Sequence, residues 1–232
     1  MIDLYYAATP NGLKLTMCLQ EMQLEHRVLR VDIGRGEQFA PAFLAISPNN
    51  KIPALVDHAP DAATYGREPL ALFESGAMLL YLAQKTGRFM PADARARMEV
   101  LKWLFWQVGG LGPMAGQNGH FVAHAPQPVP YALDRYRRET ARLLAVLDRR
   151  LADREFIAGA DYSIADMAAY PWVVPHRSLG HSLDEFEHLS RWFAAVAARP
   201  ATRAAYVGVK DPYARDRAPM DDAQRAVLFG QK

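Results

Sequence analysis

The spacing of apolar residues changes near residue 90, and this change limits the folds that the chain can adopt. Residues 1–87 alternate between short strand-like runs and helical runs, whereas the chain from about residue 92 shows helical spacing only. The pattern predicts an α/β plus all-α protein, with a βαβ-ββα domain (1–87), an all-helical domain (92–207) and a C-terminal tail (208–232). Pro91, in the stretch "TGRFMPAD", is typical of a join between domains.

The individual elements follow from the two periods, about 2 residues for strands and about 3.6 for helices. In the first domain we expect strands at Ile2–Tyr6, Arg27–Val31, Ala54–Val56 and Leu70–Phe73, and helices at Leu13–Met22, Phe39–Ile46 and Ser75–Gln84. In the second we expect helices at Ala94–Val108, Tyr131–Leu151, Ser163–Val174, Asp184–Ala198 and Ala201–Val207. The helix Ala94–Val108 is expected to end at the glycine-rich stretch "GGLGP".

Charge and cysteine content exclude several classes of protein. The formal net charge is +2 and no block of five or more like charges occurs, so we expect neither nucleic acid nor a membrane surface as a partner. Cys18 is the single cysteine, and its place on an apolar helical stripe indicates a buried side chain. No apolar run is long enough for a bilayer, and the first residues resemble a strand rather than a signal peptide. We therefore expect a cytoplasmic protein.

The turn "AATPNG" joins the first strand to the first helix. Thr9 followed by Pro10 is typical of a helix N-cap with proline in the first turn, and this structural role is one interpretation. The other is chemical, because the free N–H groups of a helix N-terminus stabilise an anion such as a thiolate. Thr9 and Asn11 would then supply polar groups beside that anion.

Two further junctions lie at the ends of predicted strands. In "NNKIPALVD", an apolar residue before Pro53 favours a turn with a cis peptide bond, which would expose the main chain of Ile52 to an extended peptide. An ordinary proline turn is the alternative. In "FESGAMLLYL", Ser75 suits a helix N-cap, and the first N–H groups of that helix could receive a carboxylate. Ser75 is no serine-hydrolase nucleophile, because Phe73 occupies the first glycine position of that motif.

Other motifs favour structural roles. Ser163 and Asp166 form the pattern of a capping box, which predicts the start of a buried helix. His120 and His124 are four residues apart, but no third ligand accompanies them, so we expect no metal site. The tail is polar except for 227–229, which packs onto the helical domain, packs over the domain cleft or remains disordered.

Three stretches together, "SPNNKIPALVD", "LFESGAMLLYLA" and "YSIADMAAYPW", resemble the cytosolic glutathione transferase family. The resemblance covers about residues 1–207. The stretches "TPNG" and "WLFWQVGGLGPMAGQ" are similar to one branch, the bacterial Nu-class proteins and their yeast Ure2-type relatives. Members of that branch are glutathione-dependent disulfide-bond reductases.

The resemblance implies a thioredoxin-like N-terminal domain that binds glutathione as cosubstrate, without a metal. It implies that Ile52 pairs its main chain with the cysteinyl part of glutathione beside a cis Pro53. Further roles carried over are the γ-glutamyl end for Glu74 and Ser75, the glycyl end for Gln38 and Lys51, and the partner subunit's site for Arg135. The role of Arg135 requires a homodimer.

Within this frame, Thr9 and Asn11 are predicted to donate hydrogen bonds to the glutathione thiolate, which itself attacks a disulfide. A thiol of pKa about 8.5 is only a few per cent ionised at neutral pH. A second glutathione would resolve the mixed disulfide, and residues 109–116 would leave room for it. Conjugation of glutathione to electrophiles, a glutathione peroxidase and a non-catalytic binding protein remain as alternatives.

Overall fold

The computed structural model describes residues 1–214 and 220–230. Its single sheet has the strand order β2-β1-β3-β4. The strands are β1 (Ile2–Tyr6), β2 (His26–Arg30), β3 (Ala54–Asp57) and β4 (Leu70–Phe73). β1 runs parallel to β2 and antiparallel to β3, and β3 is antiparallel to β4. The predicted βαβ-ββα order of a thioredoxin-like domain is thereby confirmed.

Helices cover both faces of the sheet. The long helices are α1 (Pro10–Met22) and α4 (Ser75–Thr86), and the short ones are α2 (Pro41–Leu44) and α3 (Ala62–Tyr65). α1 and α4 pack on each other over one face, with Leu15, Leu19 and Leu82 fully buried. A smaller apolar cluster around Phe43 of α2 covers the other face. The single-turn helix α3 was not predicted from the sequence.

The second domain is helical. Its elements are α5 (Ala94–Trp106), a π-helical turn (Gln107–Leu111), α6 (Gly112–Ala123), α7 (Pro130–Leu151), α8 (Ile164–Val173), α9 (Glu187–Ala198) and α10 (Pro200–Ala205). α5 ends within two residues of the predicted end, Val108, but the glycine-rich stretch "GGLGP" that follows is helical and not a loop. The π-helical turn carries the chain directly from α5 into α6, and Pro113 is the second residue of α6. Gly112 allows this close packing, because a Cβ there would lie 2.7 Å from Gln107 Nε2.

The capping box at the start of α8 has the structural role predicted for it. Ser163 Oγ accepts from the Ala165 N–H at 3.3 Å, and Asp166 accepts from the Ser163 N–H at 2.9 Å. Asp166 is fully buried and also accepts from Trp192 Nε1 at 2.8 Å. These bonds satisfy the carboxylate inside the helical core.

The two domains share one apolar core. α1 packs against both α8 and α10 of the helical domain, and the largest cluster of buried side chains includes members of both domains. An ion pair between Arg199 and Glu21, 2.5 Å apart, closes the edge of this contact. Groups from the helical domain are thereby held at fixed positions beside the N-terminal domain.

The C-terminal tail forms α11 (Asp222–Phe229), which begins with a capping box of Asp221 and Gln224. α11 packs against the 3₁₀ turn Ile33–Arg35 of the first domain, and the Phe229 ring lies 4.8 Å from that of His120 on α6. Of the three alternatives left open for 227–229, the structure shows packing over the domain cleft. None of the helices in the two described ranges is long and apolar enough to cross a membrane.

Candidate functional site

A cavity of about 1340 Å³ opens between the end of β1, the segment 30–39, α6 and α11. Its lining includes five of the predicted site residues, which are Thr9, Asn11, Gln38, Lys51 and Ile52. Pro53, Glu74, Ser75 and Arg135 do not line it. Strand pairing places three of the sequence motifs at one edge of the sheet. Ala54 pairs with both Tyr5 and Phe73, so the residues that follow β1, precede β3 and follow β4 are neighbours.

Thr9 caps α1 as predicted. Its Oγ1 accepts a hydrogen bond from the Gly12 N–H at 3.2 Å, which leaves the hydroxyl proton free to be donated elsewhere. Gly12 is required by this tight turn, because a side-chain carbon there would overlap the carbonyl oxygen of Ala7. The turn therefore holds a hydroxyl donor at the positive end of a 13-residue helix.

Asn11 is oriented by a residue far along the chain. Trp172 Nε1 of α8 donates to Asn11 Oδ1 at 3.0 Å. Since an indole N–H only donates, the oxygen of the amide must face the indole, and the NH₂ group faces away from it. Trp172 was not predicted from the sequence, because the stretch "YSIADMAAYPW" that ends with it was assigned only a structural role.

The Ile52–Pro53 peptide bond is cis, so that expectation from the sequence is confirmed. Ser47 Oγ donates to the Lys51 carbonyl at 2.9 Å and fixes the loop that leads into this turn. The hydrogen-bonded ladder of β3 starts only at Ala54. The main chain of Ile52 therefore lies just beyond the ladder, beside the cavity.

Gln38 is buried and has one unpaired atom. Its Nε2 donates to the Ile33 carbonyl at 3.1 Å, while its Oε1 has no partner within the described part of the chain. A buried orphan acceptor on a cavity wall suits a ligand that brings an N–H. Gln38 therefore fits a peptide N–H better than the carboxylate of a glycyl end.

The start of α4 differs in detail from the prediction. The N-cap residue is Glu74, not Ser75, and its side chain makes no capping bond to the described residues. Glu74 has a φ of 67°, a left-handed conformation that non-glycine residues adopt rarely and often at functional sites. Ser75 is the first helical residue, and its hydroxyl accepts a hydrogen bond from Lys14 Nζ.

Lys14 is a buried cation that the sequence analysis did not single out. Its side chain is 1% exposed, and Nζ donates to Gln107 Oε1 at 2.6 Å and to Ser75 Oγ at 3.2 Å. Burial lowers the pKa of Lys14 to about 7, against the opposing effect of the Glu74 carboxylate. A signal was present in the sequence, since Lys14 lies four residues before Cys18 on an apolar helical face.

Arg135 lies on α7 with its side chain about half exposed, and it pairs with Glu139 at 3.6 Å. The single chain thus does not bring Arg135 to its own cavity. Its proposed place in a partner subunit's site stays a prediction.

No thiol of the protein lies beside the cavity. Cys18 is fully buried, as predicted, and burial raises the pKa of its thiol. The cavity is also lined by His120, whose pKa is lowered by burial, so the imidazole is neutral at pH 7. Among the described residues no group of His, Cys, Asp or Glu side chains has the arrangement of a metal site.

Comparison with known families matches two domain models. Residues 8–85 match the glutathione S-transferase N-terminal domain, and residues 113–200 match the glutathione S-transferase C-terminal domain. Together these matches cover well over half of the chain.

Individual proteins agree with this result. The disulfide-bond oxidoreductase YfcG of Escherichia coli is 54% identical over 202 residues, which are 87% of this chain and 93% of that protein. A glutathione transferase family member from Pseudomonas fluorescens, crystallised with two glutathione molecules, has a TM-score of 0.82 at 42% identity, covering 88% of this chain and 91% of that one. A glutathione transferase from Pseudomonas putida, crystallised with one glutathione disulfide per subunit, has a TM-score of 0.81 at 39% identity, covering 91% of each chain. The chain therefore belongs to the glutathione S-transferase family, as the resemblance of its motifs indicated.

Proposed function

We propose that this enzyme is a glutathione-dependent disulfide-bond oxidoreductase of the cytoplasm, where glutathione keeps thiols reduced. The observation that carries the proposal is the arrangement of side chains at the N-terminal end of α1. Two uncharged donors, Thr9 and Asn11, line a large cavity there, while the single cysteine of the chain is buried. Such a site lacks a nucleophile of its own and suits a thiolate that arrives with the cosubstrate.

Glutathione is expected to lie along the sheet edge. The main chain of Ile52 pairs with the cysteinyl residue, beside cis Pro53. Glu74 and Ser75 receive the γ-glutamyl end. Lys51 and the orphan acceptor of Gln38 face the glycyl end, with Gln38 accepting from the glycyl N–H. The thiol then lies near the turn that holds Thr9.

The energy needed to ionise the bound thiol is within reach of this site. Lowering a thiol pKa by about two units requires about 2.7 kcal/mol of preference for the thiolate. A hydrogen bond to a charged group contributes about 1.5–3 kcal/mol, and a helix N-terminus adds about 0.3–1 kcal/mol. The Thr9 hydroxyl, the Asn11 amide and α1 together supply that amount.

The reaction is two successive thiol–disulfide exchanges. The bound thiolate attacks one sulfur of the substrate disulfide, the substrate S–S bond breaks, and the released thiolate takes a proton from water. The thiolate of a second glutathione then attacks the glutathione sulfur of the mixed disulfide. The second substrate thiol leaves, and glutathione disulfide is formed. The substrate is reduced by two electrons, which two glutathione molecules provide.

The size of the cavity supports this sequence of steps. Pockets for a single small ligand occupy about 300–1,000 Å³, whereas this cavity has about 1340 Å³. It has room for a glutathione together with a second glutathione or a disulfide substrate. The Pseudomonas relatives crystallised with two glutathiones or with glutathione disulfide support the proposal that two such molecules fit in one site.

The test is steady-state reduction of 2-hydroxyethyl disulfide by glutathione, coupled to glutathione reductase. The same preparation is assayed with chlorodinitrobenzene and with an organic hydroperoxide. We expect fast disulfide turnover and slow reactions with the other two substrates. Dominant conjugation or peroxidase activity would move the protein to those reaction classes. Failure to bind glutathione at millimolar concentration would identify a non-catalytic binding protein.

A further inference from the structure

Lys14 is a charged side chain for which the proposed reaction has no use so far. It is fully enclosed between α1, the start of α4 and the π-helical turn of the second domain. Charged side chains are rarely buried unless their surroundings compensate the charge. Its two hydrogen-bond partners, Gln107 and Ser75, are neutral, and the nearby charge that favours the ammonium form is the Glu74 carboxylate.

The direction of the bond to Ser75 carries the argument. Ser75 Oγ accepts from Lys14 Nζ over their 3.2 Å, since the protonated form of Lys14 has three donors and no acceptor. The hydroxyl proton of Ser75 is then committed to a different partner. Donation from an ammonium also polarises the hydroxyl and strengthens it as a donor.

Other donors converge on the same point. α4 begins at Ser75, and the Glu74 side chain leaves the first N–H groups of α4 uncapped within the described residues. A helix N-terminus carries a partial positive charge and binds carboxylates. The Ser75 hydroxyl, the free N–H groups and the ammonium behind them thus form one electropositive position at the end of β4.

We propose that Lys14 is a positioning residue, which directs and polarises the Ser75 hydroxyl so that it donates to a carboxylate of the ligand. This inference rests on the proposed function, in which that carboxylate belongs to the γ-glutamyl residue of glutathione. Lys14 itself does not touch the ligand.

The second domain contributes Gln107 to the surroundings of Lys14. Its Oε1 accepts from Lys14 at 2.6 Å, and its side chain is fully buried. Gly112 leaves the space for it, since a Cβ there would press on Gln107 Nε2. The helical domain thereby holds the ammonium in place. A purely structural role is the competing explanation, and it predicts a loss of stability without any preference for a ligand carboxylate.

The test compares Lys14→Met with the wild type by calorimetry. Two thiol-blocked ligands are titrated, S-methylglutathione and its analogue in which a γ-aminobutyryl group replaces γ-glutamyl, which keeps the amino group and removes only the α-carboxylate. We expect Lys14→Met to bind S-methylglutathione about ten-fold or more weakly, the worth of a charge-assisted hydrogen bond, and to bind the analogue within about two-fold of the wild type. In turnover, KM for glutathione rises while kcat changes little.

Met17→Ala is the matched control, because Met17 is equally buried on α1 and has no polar contact with the site. We expect it to lower stability while keeping the wild-type preference for S-methylglutathione. Equal losses for both ligands, or no loss for either, in Lys14→Met would overturn the positioning role. A wild-type protein that binds neither ligand would overturn the proposed function together with this role.

Ser75→Ala provides a second, independent variant should Lys14→Met fail to fold. It removes only an oxygen atom at the start of α4, and we expect it to lose the same discrimination between the two ligands. When Lys14→Met and Ser75→Ala are combined, their losses of affinity for S-methylglutathione should not add, because both changes remove the same hydrogen bond to the carboxylate. Full wild-type discrimination in Ser75→Ala would contradict the proposal.

Discussion

In the proposed mechanism, Thr9 would act on the glutathione sulfur through a proton that it donates, not through a reactive atom of its own. Replacing Thr9 with alanine removes this donor together with the helix cap. We expect kcat for disulfide reduction to fall by about ten- to a hundred-fold, since a hydrogen bond to a charged group is worth about 1.5–3 kcal/mol. The affinity for glutathione should change little, because the bond forms at the sulfur only. The pKa of the bound thiol, followed by thiolate absorbance, should rise.

Thr9→Ser is the control, because serine keeps both the hydroxyl and the cap and should keep most of the activity. Asn11→Ala should lower kcat in the same way as Thr9→Ala. Wild-type turnover in both alanine variants would exclude the proposed roles of these two residues.

Trp172 is expected to act through Asn11. Trp172→Phe keeps an aromatic ring in the core but removes the N–H that holds Asn11 Oδ1 at 3.0 Å. We expect kcat to fall by about five-fold, which corresponds to a neutral hydrogen bond of about 1 kcal/mol, with no change in KM for glutathione. Trp103→Phe is the matched control, since Trp103 packs on Trp106 and does not line the cavity. An equal loss of kcat in both variants would contradict the specific role of Trp172.

The sequence allowed these residues to be predicted to different degrees. Thr9 and Ile52 could be predicted because their roles depend on neighbours in the chain, a helix start and a following proline. Trp172 could not, since its partner Asn11 is 161 residues away. The same holds for Lys14, whose partner Gln107 comes from the other domain. Long-range side-chain pairs leave no periodic trace in a sequence.

At the scale of elements, strands and amphipathic helices were predicted well because each has a clear hydrophobic period. α6 was missed, since four glycines and a proline between residues 109 and 116 are usually read as a loop. In the structure Gly112 and Gly116 allow close contacts of the helix, since a Cβ at Gly116 would lie 3.3 Å from the Trp172 ring. α4 begins at Ser75 as predicted, but its N-cap is Glu74 and not Ser75, whose hydroxyl accepts from Lys14.

α11 is the element whose removal should alter substrate binding with little effect on folding. None of its residues is buried, yet Val227, Leu228 and Phe229 line the cavity. Phe229→Ala should raise KM for 2-hydroxyethyl disulfide about three-fold or more, on the order of 1 kcal/mol of lost apolar contact. The melting temperature should stay near that of the wild type.

Val207→Ala is the control for this change, since Val207 is 81% exposed and lies away from the cavity. It should change neither KM for 2-hydroxyethyl disulfide nor the melting temperature. A drop in melting temperature without a change in KM would show that α11 supports the fold and not the substrate.

At the scale of the whole molecule, the shared core makes the cavity a joint product of both domains. Residues after β1 and before β3 supply the donors, and α6, α8 and α11 supply the opposite wall. Arg135 lies outside this arrangement, half exposed on α7. We propose that the protein is a homodimer in which Arg135 completes the partner's site, and this makes a prediction about mixed dimers.

A hybrid dimer of one Thr9→Ala subunit and one Arg135→Ala subunit, purified with two different tags, should show about half of the wild-type activity. One of its sites carries both defects, whereas the other combines an intact Thr9 with the partner's intact Arg135. Both homodimeric variants should be slow. Arg138→Ala, an exposed arginine on the same helix that pairs with Asp134, should not impair turnover. Two results would show that Arg135 does not act across subunits. One is a hybrid dimer with turnover no faster than that of the two variant homodimers, and the other is a wild-type protein that sediments as a monomer and is fully active.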